Sequence, residues 1–143
     1  MDETDDSLLA LLKENARLPV ASLAQMLGLA RSTVQSRLER LERRGIVVGY
    51  TVRLSEEATK STIHATALLQ IEPRELPSIL SRLRAVREVT KVHTTSGRFD
   101  LLVRLAAPTT QALDAALDSI GSAPGVKSSE SLVHLSTRVD RAV

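Results

Sequence analysis

The sequence predicts an α+β chain in two parts. An N-terminal trihelical, winged-helix-like helix-turn-helix domain joins a C-terminal βαββαβ ferredoxin-like sandwich. Three observations predict this. Before Gly45, apolar residues recur at helical spacing in three stretches. After Ser61, apolar residues alternate in strand-like runs. Between those runs, Leu76/Ile79/Leu80/Leu83 and Leu113/Ala116/Leu117/Ile120 repeat one helical pattern, 37 positions apart. Such a repeat fits two related halves that pack their helices on one face of a four-stranded antiparallel sheet.

The first helix is expected over residues 4–15. Thr4 or Asp5 is its cap, acids fill its first turn, and Leu8, Leu11 and Leu12 form its stripe. Pro19 opens a short second helix with Leu23, Ala24 and Leu27 inward. Gly28 and Leu29 make a tight turn into a longer third helix, which Gly45 ends. Residues 46–48 and 50–54 read as two short extended pieces around Gly49, forming a small wing or a strand leaving the domain. Ser55 to Ser61 is polar and without period, and reads as a linker.

Residues 62–71 alternate as the first strand of the second part, and Pro73 stops them. The Leu76 stripe is the next helix. Residues 89–95 form the second strand, Ser96-Gly97-Arg98 a turn, and Phe99, Leu101, Val103 and Leu105 the third strand. Pro108 stops that strand, and the Leu113 stripe is the second helix of this part. Pro124-Gly125 turns into a fourth strand over 126–137. One sheet face then has no helix in this chain. Leu68, Val92, Leu102 and Leu132 are out of phase with the core and fall on it, so association through this face is expected.

Composition narrows the function. Apolar residues make up 43% and charged residues 25%, as in folded globular chains. No apolar run has the length of a membrane span, the acidic start is unlike a signal peptide, and no cysteine is present. A cytoplasmic protein with no membrane partner is expected, without disulfides, thiol catalysis or zinc fingers. With one Tyr and one Phe, base stacking on aromatic rings is disfavoured, and with it single-stranded nucleic acid as the partner.

The charge is divided sharply. Residues 1–27 hold five acids against two bases, net −3, and residues 28–48 hold five arginines against two acids, net +3. At about 100° per residue, Val34, Leu38 and Leu41 of the third helix face inward. Ser32, Gln35 and Ser36 offer short or amide side chains near its N-terminal end, suited to base edges, and Arg31 joins them as a DNA-binding residue. Thr33, Arg37, Arg40 and Arg44 line one flank, suited to a phosphate strand. Glu39 and Glu42 point away, and Glu39 is placed to pair with Arg43. A solvated amphipathic helix has the same pattern. The preceding short helix, Gly28 and the one-sided arginine row favour double-stranded DNA as the partner.

No nucleophile elbow, paired carboxylates or cofactor loop stands out, so catalytic residues, metal ligands and cofactors are each expected to be none. His64, His93 and His134 are far apart in sequence and lack metal-ligand spacing.

Four stretches resemble the Lrp/AsnC (leucine-responsive, feast/famine) family of transcription regulators. They are DETDDSLLALLKENAR, SLAQMLGLARSTVQSRLERLERRGIVVGYTVRL, TTSGRFDLLVRL and APGVKSSESLVHL, in family order across nearly the whole chain. The resemblance implies a DNA-binding domain at residues 1–54, a linker at 55–61, and a dimerisation and effector-sensing domain at 62–143. It implies dimers that assemble further into tetramers or octamers, and an amino acid or related metabolite as effector. By the same resemblance, the effector pocket involves Thr94, Thr95, Ser96, Gly97, Arg98, Phe99 and Asp100, with Ser129 and Ser131 near them.

Two positions depart from the family pattern. Ala30 stands where Ser usually caps the recognition helix, with Ser32 or Thr33 as substitute caps. Gly97-Arg98-Phe99-Asp100 replaces the usual Gly-Asp-Tyr-Asp, exchanging an acid for a base and removing a hydroxyl. Asp100 has two readings: it meets an effector's ammonium group, or it caps local backbone. A sensing module of an enzyme complex, with the N-terminal helices as a docking arm, is the alternative function.

Overall fold

The computed structural model describes residues 1–141. Residues 142 and 143, the end of the expected second domain, lie outside the described residues. The chain divides into two compact units whose main spans are Met1–Arg53 and Leu54–Asp140.

The first unit holds three helices: α1 (Glu3–Glu14), α2 (Val20–Leu27) and α3 (Arg31–Arg43). Leu8, Leu23, Ala24, Val34, Leu38 and Leu41 are its buried apolar core, so each helix contributes its expected stripe. Asp2, rather than Thr4 or Asp5, caps α1 by accepting from the Asp5 amide. Asp5 is taken up elsewhere, as described below. Gly28 adopts a left-handed conformation (φ 66°), which lets the Leu29 amide bond back to the Ala24 carbonyl and turns the chain sharply into α3. The start of α3 is uncapped: Ala30 holds the extended cap geometry, and neither Ser32 nor Thr33 substitutes for it. Residues 46–54 form no strand, and no other strand pairs with them. The expected wing is therefore absent among the described residues. Tyr50 instead hydrogen-bonds Glu42 at 2.8 Å.

The second unit begins with one helical turn, α4 (Glu56–Thr59), inside the stretch read as linker, because Ser55 caps it. Then follow β1 (Ile63–Ile71), a 3₁₀ turn (Pro73–Glu75), α5 (Leu76–Ala85), β2 (Val89–Thr94), β3 (Leu101–Ala107), α6 (Thr110–Gly121) and β4 (Val126–Val133). This is βαββαβ, and the antiparallel sheet has the order β2-β3-β1-β4. Ala65, Ala67, Leu69 and Ile71 of β1 meet Leu101, Val103, Leu105 and Ala107 of β3 under Ile79 and Leu83 of α5 and Leu113, Ala116 and Ile120 of α6.

Three sequence expectations shift here. Phe99 lies before β3, in the turn, and β4 ends at Val133 rather than at 137. Val92 belongs to the core side. The β2–β3 register slips between Val89 and Lys91, so Val89 and Val92 both face the helices despite their odd spacing. The open face keeps Leu68, Leu102 and Leu132, with Leu132 well exposed. Gly125 (φ 95°) makes the turn into β4, where an added Cβ would overlap the Glu75 side chain.

Candidate nucleic-acid interface and effector site

Helix α3 presents its faces as its sequence period requires. Val34, Leu38 and Leu41 are buried, while Arg31, Ser32, Gln35, Ser36, Arg40, Arg43 and Arg44 are exposed. Ser32, Thr33, Ser36, Arg37 and Arg40 line an open groove of about 410 Å³. Small hydroxyls with guanidinium groups beside them can approach a nucleic-acid backbone and its base edges. Arg44 sits one residue past the helix, at its C-cap. On the opposite flank, Gln35 donates to Glu39 at 2.9 Å. Arg43 meets the Glu39 backbone carbonyl at 3.4 Å instead of pairing with its carboxylate.

The arginine flank is already engaged. Arg37 Nη1 donates to Asp2 Oδ2 at 2.8 Å, Asp2 Oδ1 at 2.9 Å and Asp5 Oδ1 at 3.0 Å. Arg40 Nη2 donates to Asp5 Oδ2 at 3.0 Å. Among the described residues Asp5 is the one buried charge, with its side chain 1% exposed. A buried carboxylate must be paired, and here one guanidinium meets each oxygen. Burial pushes the Asp5 carboxyl up, but the Arg37 hydrogen bond helps outweigh it and its pKa falls below the ordinary 3.8. The Asp5 amide, and after it Arg37, lower Asp2 likewise. Neither acid figured in the sequence reading of the site. Their signal was two acids three residues apart opposite an arginine row on another helix, which only packing brings together.

The expected effector residues fall into two groups. The loop from Thr94 to Asp100 closes on itself and on β1. The Thr95 hydroxyl donates to the Phe99 carbonyl at 2.7 Å. Asp100 Oδ2 accepts from the Ile71 amide at 2.8 Å, and the Asp100 amide donates to the Leu69 carbonyl at 2.8 Å. Asp100 therefore binds backbone, but the amide it caps belongs to β1, 29 residues away, and is not the local one expected. Arg98 lies over the Phe99 ring at 5.3 Å and pairs with Glu130 at 3.6 Å. Gln70 ties the loop to β4, donating to the Arg98 carbonyl at 2.8 Å and accepting from Ser128 at 2.7 Å. Thr94, Ser96 and Gly97 are exposed beside these contacts.

Ser129 and Ser131 lie on the other side of β4 from Ser128 and Glu130, the two residues that reach Gln70 and Arg98. They pair with Leu69 and Ala67, so alternation along β4 puts them on the helix-bearing face, opposite Ser128 and Glu130. There they line a cleft of about 630 Å³ against α6, with Asp118 and Gly121 across from them. An added Cβ on Gly121 would stand 3.3 Å from Ser129 Oγ, so glycine brings the two walls close. Gln70, Ser128 and Glu130 were missed by sequence reasoning. The exchange of an acid for Arg98 was the one hint that a new acidic neighbour exists.

On the open face, the Thr66 hydroxyl and His134 Nε2 lie 2.8 Å apart, and the His134 amide donates to the His64 carbonyl at 2.9 Å. Among the described residues no cluster of His, Asp or Glu is arranged to hold a metal, and no helix is long and apolar enough to cross a membrane.

Comparison with known proteins agrees with this architecture. Residues 1–42 match the AsnC-type helix-turn-helix domain, and residues 64–143 match the Lrp/AsnC ligand binding domain. The chain is 32% identical over 136 residues to the HTH-type transcriptional regulator LrpA of Mycobacterium tuberculosis, covering 93% of this chain and 89% of that one. It is 27% identical over 137 residues to the HTH-type transcriptional regulator FL11 of Pyrococcus abyssi, covering 96% and 91%. The transcriptional regulator NMB0573 of Neisseria meningitidis, solved as a complex with L-Met, superposes with a TM-score of 0.85 at 27% identity over 99% of this chain and 94% of that one. The order of its elements, the two matched domains and the full-length similarity to LrpA together place this chain in the Lrp/AsnC family of transcriptional regulators.

Proposed function

We propose that this protein is a sequence-specific, duplex-DNA-binding transcriptional regulator modulated by an amino acid or related metabolite. The single observation that supports it best is the exposed face of α3, where hydroxyls and arginines share one groove in a domain of the AsnC helix-turn-helix type. Residues 1–54 bind DNA, and 62–143 associate and sense. Ser32, Gln35 and Ser36 read base edges, while Arg31, Thr33, Arg37, Arg40 and Arg44 meet phosphate. Copies of the chain associate through the open sheet face, where Leu68, Leu102 and Leu132 form an apolar strip. The dimer, and any larger assembly of it, sets the spacing of the DNA half-sites.

The effector reading draws on the relative bound to L-Met. In this chain the turn 94–100 and the cleft at Ser129 and Ser131 are the two candidate walls. Arg98, held beside Glu130, replaces an acid, so the effector preference differs from that of relatives with the usual loop.

A shift assay with DNA from upstream of the gene tests the main reading. Tight binding that weakens steeply with salt supports it. Absence of binding at moderate salt favours the docking-arm alternative. Thermal-shift screening of amino acids tests the sensing part, and no stabilisation by any of them refutes it. Light scattering of Leu68→Glu and Leu102→Glu tests association, since wild-type mass from both variants refutes this face as the interface.

A further inference from the structure

Arg37 and Arg40 point into the groove of α3, yet as folded they bring no net charge to it. Asp2 and Asp5 balance them one for one. A phosphate strand approaching this flank meets a neutral cluster unless an acid gives way. The two acids are not equivalent. Asp5 is 1% exposed and shared between both guanidinium groups, so it cannot leave without stranding them. Asp2 is 55% exposed and, of the two arginines, bonds only Arg37, with both oxygens within 2.9 Å of Nη1.

We propose that Asp2 occupies on Arg37 the place of a DNA phosphate oxygen, and that binding exchanges one for the other. A phosphate oxygen forms the same charge-assisted bond that the carboxylate now makes. Asp5 stays behind as a positioning residue, holding Arg37 and Arg40 on the groove side of α3 while the exchange occurs. Asp2 Oδ1 also accepts from the Asp5 amide, so it keeps its capping role when Arg37 leaves. The N-terminal acid thereby weakens every encounter with DNA by a similar factor, whatever the base sequence. This rests on the reading of α3 as the DNA-binding helix.

The test uses full-length chains in equilibrium binding to a fixed duplex over a salt series. Asp2→Asn is the informative variant, because Asn caps a helix about as well as Asp and lacks the charge. It is expected to bind about 3- to 10-fold more tightly, with a salt slope steeper by up to about one, as one more arginine is free to release counterions. Glu3→Gln and Asp6→Asn remove the same charge from the same exposed turn without touching either arginine. They should change affinity less than about 2-fold. In an Arg37→Gln background, Asp2→Asn should have no effect.

Equal gains from Asp2→Asn and Glu3→Gln would overturn the exchange, leaving only general charge repulsion. So would a gain that persists without Arg37. Unchanged melting of Asp2→Asn shows that the cap survived; a lowered melting temperature together with unchanged affinity counts against the exchange. If the wild-type chain binds no duplex even at low salt, the parent reading has failed, and that result is distinct from these.

Discussion

The two units solve the problem of fixing their elements in different ways. In the sheet unit the buried residues are all apolar: β1 and β3 supply alternate side chains to α5 and α6, and the ion pairs Arg98–Glu130 and Lys127–Glu72 lie on the exposed surface. Among the described residues the helical unit has six buried apolar residues and one buried charge, Asp5, which ties α1 to α3 through two arginines. A small core leaves more of the docking of α1 to polar contacts, and those contacts use Arg37 and Arg40, which belong to the proposed DNA face. The sheet unit can lose a surface ion pair cheaply. The helical unit cannot lose Asp5 without changing both its packing and its arginine flank.

Substitutions can break this contrast, beginning with the largest effect. Leu69→Ala removes a fully buried side chain from the central strand β1, and denaturant unfolding should show a loss of about 2–5 kcal/mol for the sheet unit. A loss below about 1 kcal/mol would mean that this core is less decisive than its packing implies. Asp5→Ala should come next. It leaves Arg37 and Arg40 facing an empty site, lowers the melting temperature of the helical unit, and weakens DNA binding in the same protein. A change in only one of these two measurements would separate the structural role from the binding role.

The pH dependence of the two units should also differ. Asp2 and Asp5 have depressed carboxyl pKa values in the folded chain. Below the ordinary value of 3.8 the unfolded chain holds more protons at these groups than the folded one. Their stabilisation is thus fully present above that pH and is lost as pH falls through the depressed values. Circular dichroism across an acid titration should show helical-unit signal lost progressively below that point in the wild type, and less of this pH dependence in Asp2→Asn.

Two smaller effects complete the series. Asp100→Ala strands the Ile71 amide at the end of β1 and should cost about 1–2 kcal/mol, read by denaturant unfolding. Ala30→Ser should stabilise α3 by about 0.5–1 kcal/mol, because Ala30 already holds the extended cap geometry and lacks only the oxygen. No gain in melting temperature would show that the N-terminus of α3 is satisfied in another way.

Much of this was legible in the chain itself. The stripes of α1, α2, α3, α5 and α6, and the alternation in β1 and β3, follow from side-chain period and survive in any packing that buries one face. So do the inward set Val34, Leu38 and Leu41 and the exposed hydroxyls of α3. Register and the meeting of distant residues were not legible. The slip between Val89 and Lys91 moved Val92 to the core side, because a bulge breaks the period of two on which its placement relied. The pairing of β4 with β1 sent Ser129 and Ser131 to one face and Ser128 and Glu130 to the other, parting residues that a linear motif had grouped. The partners of Arg37 depended on where α1 lands on α3, 32 to 35 residues away in sequence.

The sequence by itself determined which residues are apolar at which period, and hence the element types, their order and the faces they bury. Only the tertiary structure decided which charges meet. Hydrophobic burial constrains a face and tolerates many partners on it, whereas a hydrogen-bonded ion pair needs particular atoms within about 3 Å, and no local pattern encodes that distance.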